Sequence, residues 1–101
     1  MSDDLAAFLA ARLDEDEAVA KELAEPGGIH WPWLEARLLR EVAAGRAILA
    51  AYRASVSMAV QMKDDTRWRA GQIDTLQWTV GALAAVYSDH PDYRQEWAPH
   101  E

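Results

Sequence analysis

WLEARLLREVAAGRAILAAYRASVSMAVQM, residues 33–62, holds no proline and a single glycine, and its apolar side chains recur at helical spacing. Leu34, Leu38, Val42, Gly45, Leu49, Tyr52, Val56 and Ala59 step by three or four residues and fall on one narrow stripe. The spacing predicts a single helix of roughly 40 Å at about 1.5 Å per residue. That is long for a chain of 101 residues. Everything else must therefore lie against this rod.

Upstream, Ser2 is placed to cap a first helix, with Asp3 and Asp4 in its first turn, where the helix dipole favours negative charge. Leu5, Phe8, Leu9, Leu13, Val19 and Leu23 form its apolar face, which ends near Ala24. Pro26-Gly27-Gly28 breaks it. Pro32 fits the first position of the central helix, and Trp31 and Trp33 are expected to plug the corner between the two. Downstream, Lys63 to Thr66 reads as a break, and Asp65 or Thr66 caps a third helix from about Arg67 to Tyr87. Its Ile73, Leu76, Val80, Leu83 and Tyr87 follow a three-four rhythm of coiled-coil type. Ser88 to Trp97 is expected to form a short last helix with Pro91 in its first turn, and Tyr93 and Trp97 would fold it back over the bundle. The fold class that results is all-α. It is a single domain over residues 1–101, a three-helix antiparallel bundle around a long central helix with a short C-terminal helical turn.

Composition narrows the function classes. Half of the residues are apolar, so the chain folds. Cysteine is absent, which removes disulfides, thiolate metal sites and cysteine nucleophiles and fits a cytoplasmic setting. The start is acidic where a signal peptide is basic, and no apolar run of about 18 residues is present to span a membrane. The net charge of −7 divides into −6 over residues 1–25, +3 over 26–70 and −4 over 71–101. Acidic ends around a basic middle attract one another and disfavour nucleic acid as a partner. A chain this short buries only about 60–70% of its unfolded surface, so a long rod favours a second copy.

Three blocks carry a resemblance: LAAFLAARLDEDEAVA (residues 5–20), LLREVAAGRAILAAY (38–52) and YSDHPDYRQEWAP (87–99). Together they resemble a family of small proteins of unknown function from actinobacteria and their phages. The resemblance implies a cytoplasmic helical protein and brings no activity. Many members carry cysteines and a histidine between the last two blocks, a pattern that looks like a small metal site. Residues 53–77 here contain neither, so that site does not transfer.

Candidate chemistry is sparse. Asp14-x-x-Glu17 and Glu22-x-x-Glu25 have the i, i+3 spacing of one acidic pair in a magnesium-dependent all-α nucleotide pyrophosphohydrolase, but no second pair faces them. His30, His90 and His100 meet only if the tail folds onto the first connector. Two groupings remain. Trp78, flanked by Gly81, Ala82 and Ala85, lies opposite the inward stripe of the third helix and is suited to receive another helix. Arg12 and Asp16, four apart on the apolar side of the first helix, together with Arg37 and Glu41 on the second, form a candidate inward polar cluster. The first reading is a non-enzymatic interaction module working through protein–protein contacts. Its partners are a second copy or a host or phage protein, with no cofactor or metal, no nucleic acid and no membrane. The alternative is a small-molecule or metal-binding enzyme built on the polar cluster.

Overall fold

The structure, a computed structural model, describes residues 3–23, 32–62 and 67–99. It consists of α1 (Asp3–Leu23), α2 (Pro32–Met62) and α3 (Arg67–Ala84), followed by 3-10 turns at Ala85–Tyr87 and Gln95–Trp97. There are no strands among the described residues. The all-α class read from the spacing holds.

The central helix is unbroken over 31 residues. Pro32 takes its first position, where a missing N–H removes no helical bond. The predicted stripe is the buried one: Val42, Gly45, Leu49 and Tyr52 are buried, and Leu34, Leu38, Val56 and Ala59 are half-buried. Leu5, Phe8, Leu9 and Leu13 of α1 and Val80 and Ala84 of α3 close the core against it. The helices meet closely at Gly45. A Cβ built there would stand 2.9 Å from Leu13 Cδ2, so the missing side chain is what lets α1 settle on α2.

Several local expectations change. Val19 is half exposed, while Ala20 is fully buried. Ala20 lies seven residues beyond Leu13, two turns on along the same line, and Val19 falls about 100° to its side. Trp33 is 60% exposed, more than a plugging side chain would be. The C-terminal segment forms no fourth α-helix. Its backbone bonds run from Ser88 N to Ala85 O, from His90 N to Tyr87 O and from Tyr93 N to His90 O, all three residues back. Arg94 is then extended, with φ −108° and ψ 130°. Pro91 donates no N–H, and the chain must reverse here to carry Tyr93 and Trp97 onto Phe8. The caps assigned to Ser2 and to Asp65 or Thr66, both connectors, Trp31, His30 and His100 lie outside the described residues.

Candidate functional site

One polar seam runs between α1 and the turn that follows α3. Arg12 leaves α1 on its apolar side and is only 8% exposed. Its guanidinium carbon sits 4.9 Å from the centre of the Phe8 ring. Nη1 lies 2.9 Å from Nδ1 and 2.7 Å from Nε2 of His90, and the Asp92 backbone N–H also donates to Nδ1 at 3.0 Å. The Asp92 N–H donates to Nδ1, so Nδ1 is the acceptor nitrogen of the ring and the one towards which Arg12 can donate. On the other side, Nη2 donates to Glu15 Oε2 at 3.2 Å. Nε lies 2.9 Å from Oε1, an ion-pair contact whose angle falls short of a hydrogen bond.

One turn on, Asp16 accepts a bond of 2.5 Å from the Tyr87 hydroxyl. Burial raises the ionisation point of Tyr87 well above that of a free phenol, and the bond to Asp16 and the charges of Asp16 and Glu41 add to the shift. A phenol held protonated in this way can donate but cannot act as a base. Asp16, Glu41 and Tyr87 border a groove of about 390 Å³ whose remaining walls are mostly apolar, among them Leu9, Leu38, Val42 and Leu83.

The four residues of the predicted cluster therefore divide. Arg12 ties the tail to α1, Asp16 and Glu41 edge the groove, and Arg37 pairs with Glu41 at 2.9 Å on the exposed side of α2. Of the two acidic pairs with metal-like spacing, Asp14 and Glu17 have another occupant, and Glu25 of the second pair lies outside the described residues. Arg46 of α2 forks across to α1, with Nη2 2.7 Å from Asp14 Oδ1 and Nη1 2.8 Å from Glu17 Oε2. That bond and the charge of Arg46 hold the Glu17 carboxyl below its usual range. Among the described residues, no three His, Asp or Glu side chains are grouped to hold a metal ion.

The residues chosen on α3 also separate. Trp78 is exposed and borders a groove of about 310 Å³ shared with Asp74, Gln77 and the tail residues Glu96 to Pro99. Gly81 is buried under that tail, and a Cβ there would stand 3.0 Å from the Trp97 carbonyl oxygen. Ala82 and Ala85 are half-buried.

Sequence spacing did not find His90, which meets Arg12 across 78 residues, nor the reach of Arg46 to α1. The tail did leave a signal. Tyr93 and Trp97, four apart, foretold a fold-back, and their landing point is Phe8, whose ring centre lies 5.9 Å from Tyr93 and 5.2 Å from Trp97. His90 lies 5.6 Å from the same ring. Phe8 is the only phenylalanine in the chain, and the tail closes around it.

Residues 2–99 match a family of unknown function, DUF6221. The chain belongs to that family. No curated protein and no solved structure matches it. The resemblance drawn from the three sequence blocks thus holds at the level of a family of unknown function. For this DUF6221 chain, function has to be argued from the surfaces and grooves just described. None of its described helices is long and apolar enough to cross a membrane.

Proposed function

We propose that this DUF6221 protein is a non-enzymatic helical interaction module that acts through protein–protein contacts at the outer face of α3. In this reading it is an accessory or regulatory protein of an actinobacterium or one of its phages, cytoplasmic, and a homodimer. The source and the cytoplasmic setting rest on the resemblance carried by the three sequence blocks, with the lack of cysteine in keeping with the latter. The observation that carries the mode of action is Trp78. It stands 54% exposed on the side of α3 away from the core, beside the half-buried Ala82 and Ala85. A large indole left in water next to small side chains is the composition of an anchor at a contact surface. Light scattering on the full chain tests this. A dimer is expected, and Trp78→Asp should halve the mass while circular dichroism stays helical. An unchanged mass removes Trp78 from the interface, and a monomeric wild type removes the homodimer.

A second reading is favoured by the groove bordered by Asp16, Glu41 and Tyr87. Its size and apolar walls suit a small ligand, with the two carboxylates favouring a basic group on that ligand. Thermal-shift screening against small amines tests it. A stabilisation lost in Asp16→Asn supports a binder, and the absence of any shift sinks it.

A further inference from the structure

We propose that the occupant of the outer α3 face is a second copy of this chain, with the two α3 helices antiparallel along the stripe Trp68, Gly71, Thr75, Trp78 and Ala82, continued by Ala85 at the start of the 3-10 turn. This rests on the interaction-module and homodimer reading and adds the register and the orientation.

The stripe steps three, four, three, four and three residues, the spacing of a coiled-coil seam. It runs on the opposite side of α3 from the seam that meets the core. Trp68 is 69% exposed, so the stripe carries two indoles that each expose more than half of their surface. Beside it, Trp68, Gly71 and Thr75 form with Ala51 and Ser55 of α2 a shallow depression of about 670 Å³.

Gly71 is the informative position. Two other helical glycines have neighbours that require them: Leu13 crowds Gly45, and the Trp97 carbonyl crowds Gly81. A Cβ on Gly71 would meet nothing within 4 Å. Glycine weakens a helix interior, and no neighbour among the described residues accounts for it here. A close approach from outside the chain does. Thr75 points the same way. Its hydroxyl donates to the Gly71 carbonyl at 2.9 Å, so its polar group is satisfied within the helix and the side chain no longer needs water as a partner.

The stripe fits itself in one direction. Laid antiparallel on its own copy, Trp68 faces Ala85 of the second copy, Gly71 faces Ala82 and Trp78 faces Thr75, so each indole meets a small side chain. Laid parallel, indole meets indole and glycine meets glycine. Charge agrees with the antiparallel choice. Arg67 opens α3, Asp89 follows its end, and both are exposed, so an antiparallel pair brings each Arg67 towards the other copy's acidic end. The area is adequate as well. A specific interface needs at least about 1,000 Å² in total. With aromatic side chains covering about 150–250 Å² each, four half-exposed indoles supply on the order of half of that. Val86, 73% exposed beside the stripe, and the smaller residues add to it.

The test uses the full chain. Gly71→Leu fills the contact with Ala82 of the second copy and should weaken dimerisation at least tenfold by sedimentation, with helicity retained. Direction is read from a double variant, Gly71→Cys with Ala82→Cys. The chain has no other cysteine, and these positions lie about 16 Å apart along one helix, too far to join internally. Oxidation should link position 71 of one copy to position 82 of the other, as read by peptide mass mapping. Links of 71 to 71 overturn the orientation. If Trp78→Asp abolishes the dimer while Gly71→Leu dimerises normally and no 71–82 link forms, the Trp78 face stands and the antiparallel pairing fails. A wild type that is monomeric overturns the self-association itself, and one that dimerises undisturbed by either variant puts the dimer contact on another face and overturns the proposal.

Discussion

Val42 and Val60 lie on the same line of α2, five turns apart, yet Val42 is 3% exposed and Val60 is 72% exposed. The difference is the end of α1. With Leu13 against Gly45 and the two helices antiparallel, α1 begins beside Ser55, so the last two turns of α2 have no third helix over this side. Val42→Ala should lower stability by about 2 kcal/mol, since two buried methyl groups and a cavity are involved. Val60→Ala should stay within about 0.5 kcal/mol of wild type. Urea unfolding of both variants checks this, and equal losses would mean that the end of α2 is covered.

At Gly45 two effects oppose each other. Alanine there gains about 1 kcal/mol of helix propensity. Its Cβ must also displace Leu13, which is buried and 2.9 Å away at its Cδ2, and overpacking costs about 1–3 kcal/mol. Gly45→Ala is therefore expected to lose about 1 kcal/mol. In a Leu13→Ala background the clash is gone and the same substitution should become stabilising. A double-mutant cycle from denaturation curves reads the change of sign, and additive effects would contradict the contact.

Arg46 gives the fold an acid-sensitive tie. Its bond to Glu17 depresses the carboxyl in the folded state. The stabilisation is thus present above the unfolded value near 4.5 and is lost as pH falls through the lower folded value. Both groups are exposed enough for salt to screen them. Arg46→Met should unfold at a midpoint that drops less between pH 6 and pH 3 than the wild type does. The gap should shrink in high salt. Parallel pH profiles for the two proteins would remove the tie from the account.

These contrasts show which features a sequence can carry. The stripe of α2 was legible because a period of three or four over eight positions is local and repetitive. Ala20 was missed in favour of Val19 because hydrophobicity ranks valine higher, while the line set by Leu13 selects the alanine. The tail's approach to the bundle was legible from Tyr93 and Trp97. That Arg12 would meet His90 was not, since spacing on one helix says nothing about a partner 78 residues away. Arg12 and Asp16, four apart, share one side of α1. In the fold each has a better-placed partner: Glu15 and His90 for Arg12, and Tyr87 for Asp16.

Tyr93 carries an expectation of the opposite sign to most core substitutions. Its ring packs edge-on to Phe8 at 5.9 Å and to Trp97 at 5.8 Å, but its hydroxyl is buried without a hydrogen-bond partner. An unsatisfied buried hydroxyl costs about 1–3 kcal/mol. Tyr93→Phe keeps the ring contacts and removes the group that lacks a partner, so the variant should be more stable by about 1 kcal/mol. A lower unfolding midpoint would show that the hydroxyl has a partner in solution.

Tyr87 governs the alkaline limb. Burial, then the bond to Asp16 and the nearby negative charges, raise its ionisation point above the free value of 10.0. The unfolded chain therefore gives up this proton before the folded one does. The contribution of Tyr87 to stability is complete below about pH 10 and is lost as pH rises through the folded value. Tyr87 should give a late step in an ultraviolet titration of the folded protein, and that step should be lost in Tyr87→Phe. Asp16→Asn separates the causes. It removes the carboxylate charge and keeps an oxygen that can accept the phenol, so the step should move to lower pH while staying above 10, because burial, the largest cause, remains. A step in Asp16→Asn that coincides with a free tyrosine would mean that the charge, and not burial, is what keeps this phenol protonated.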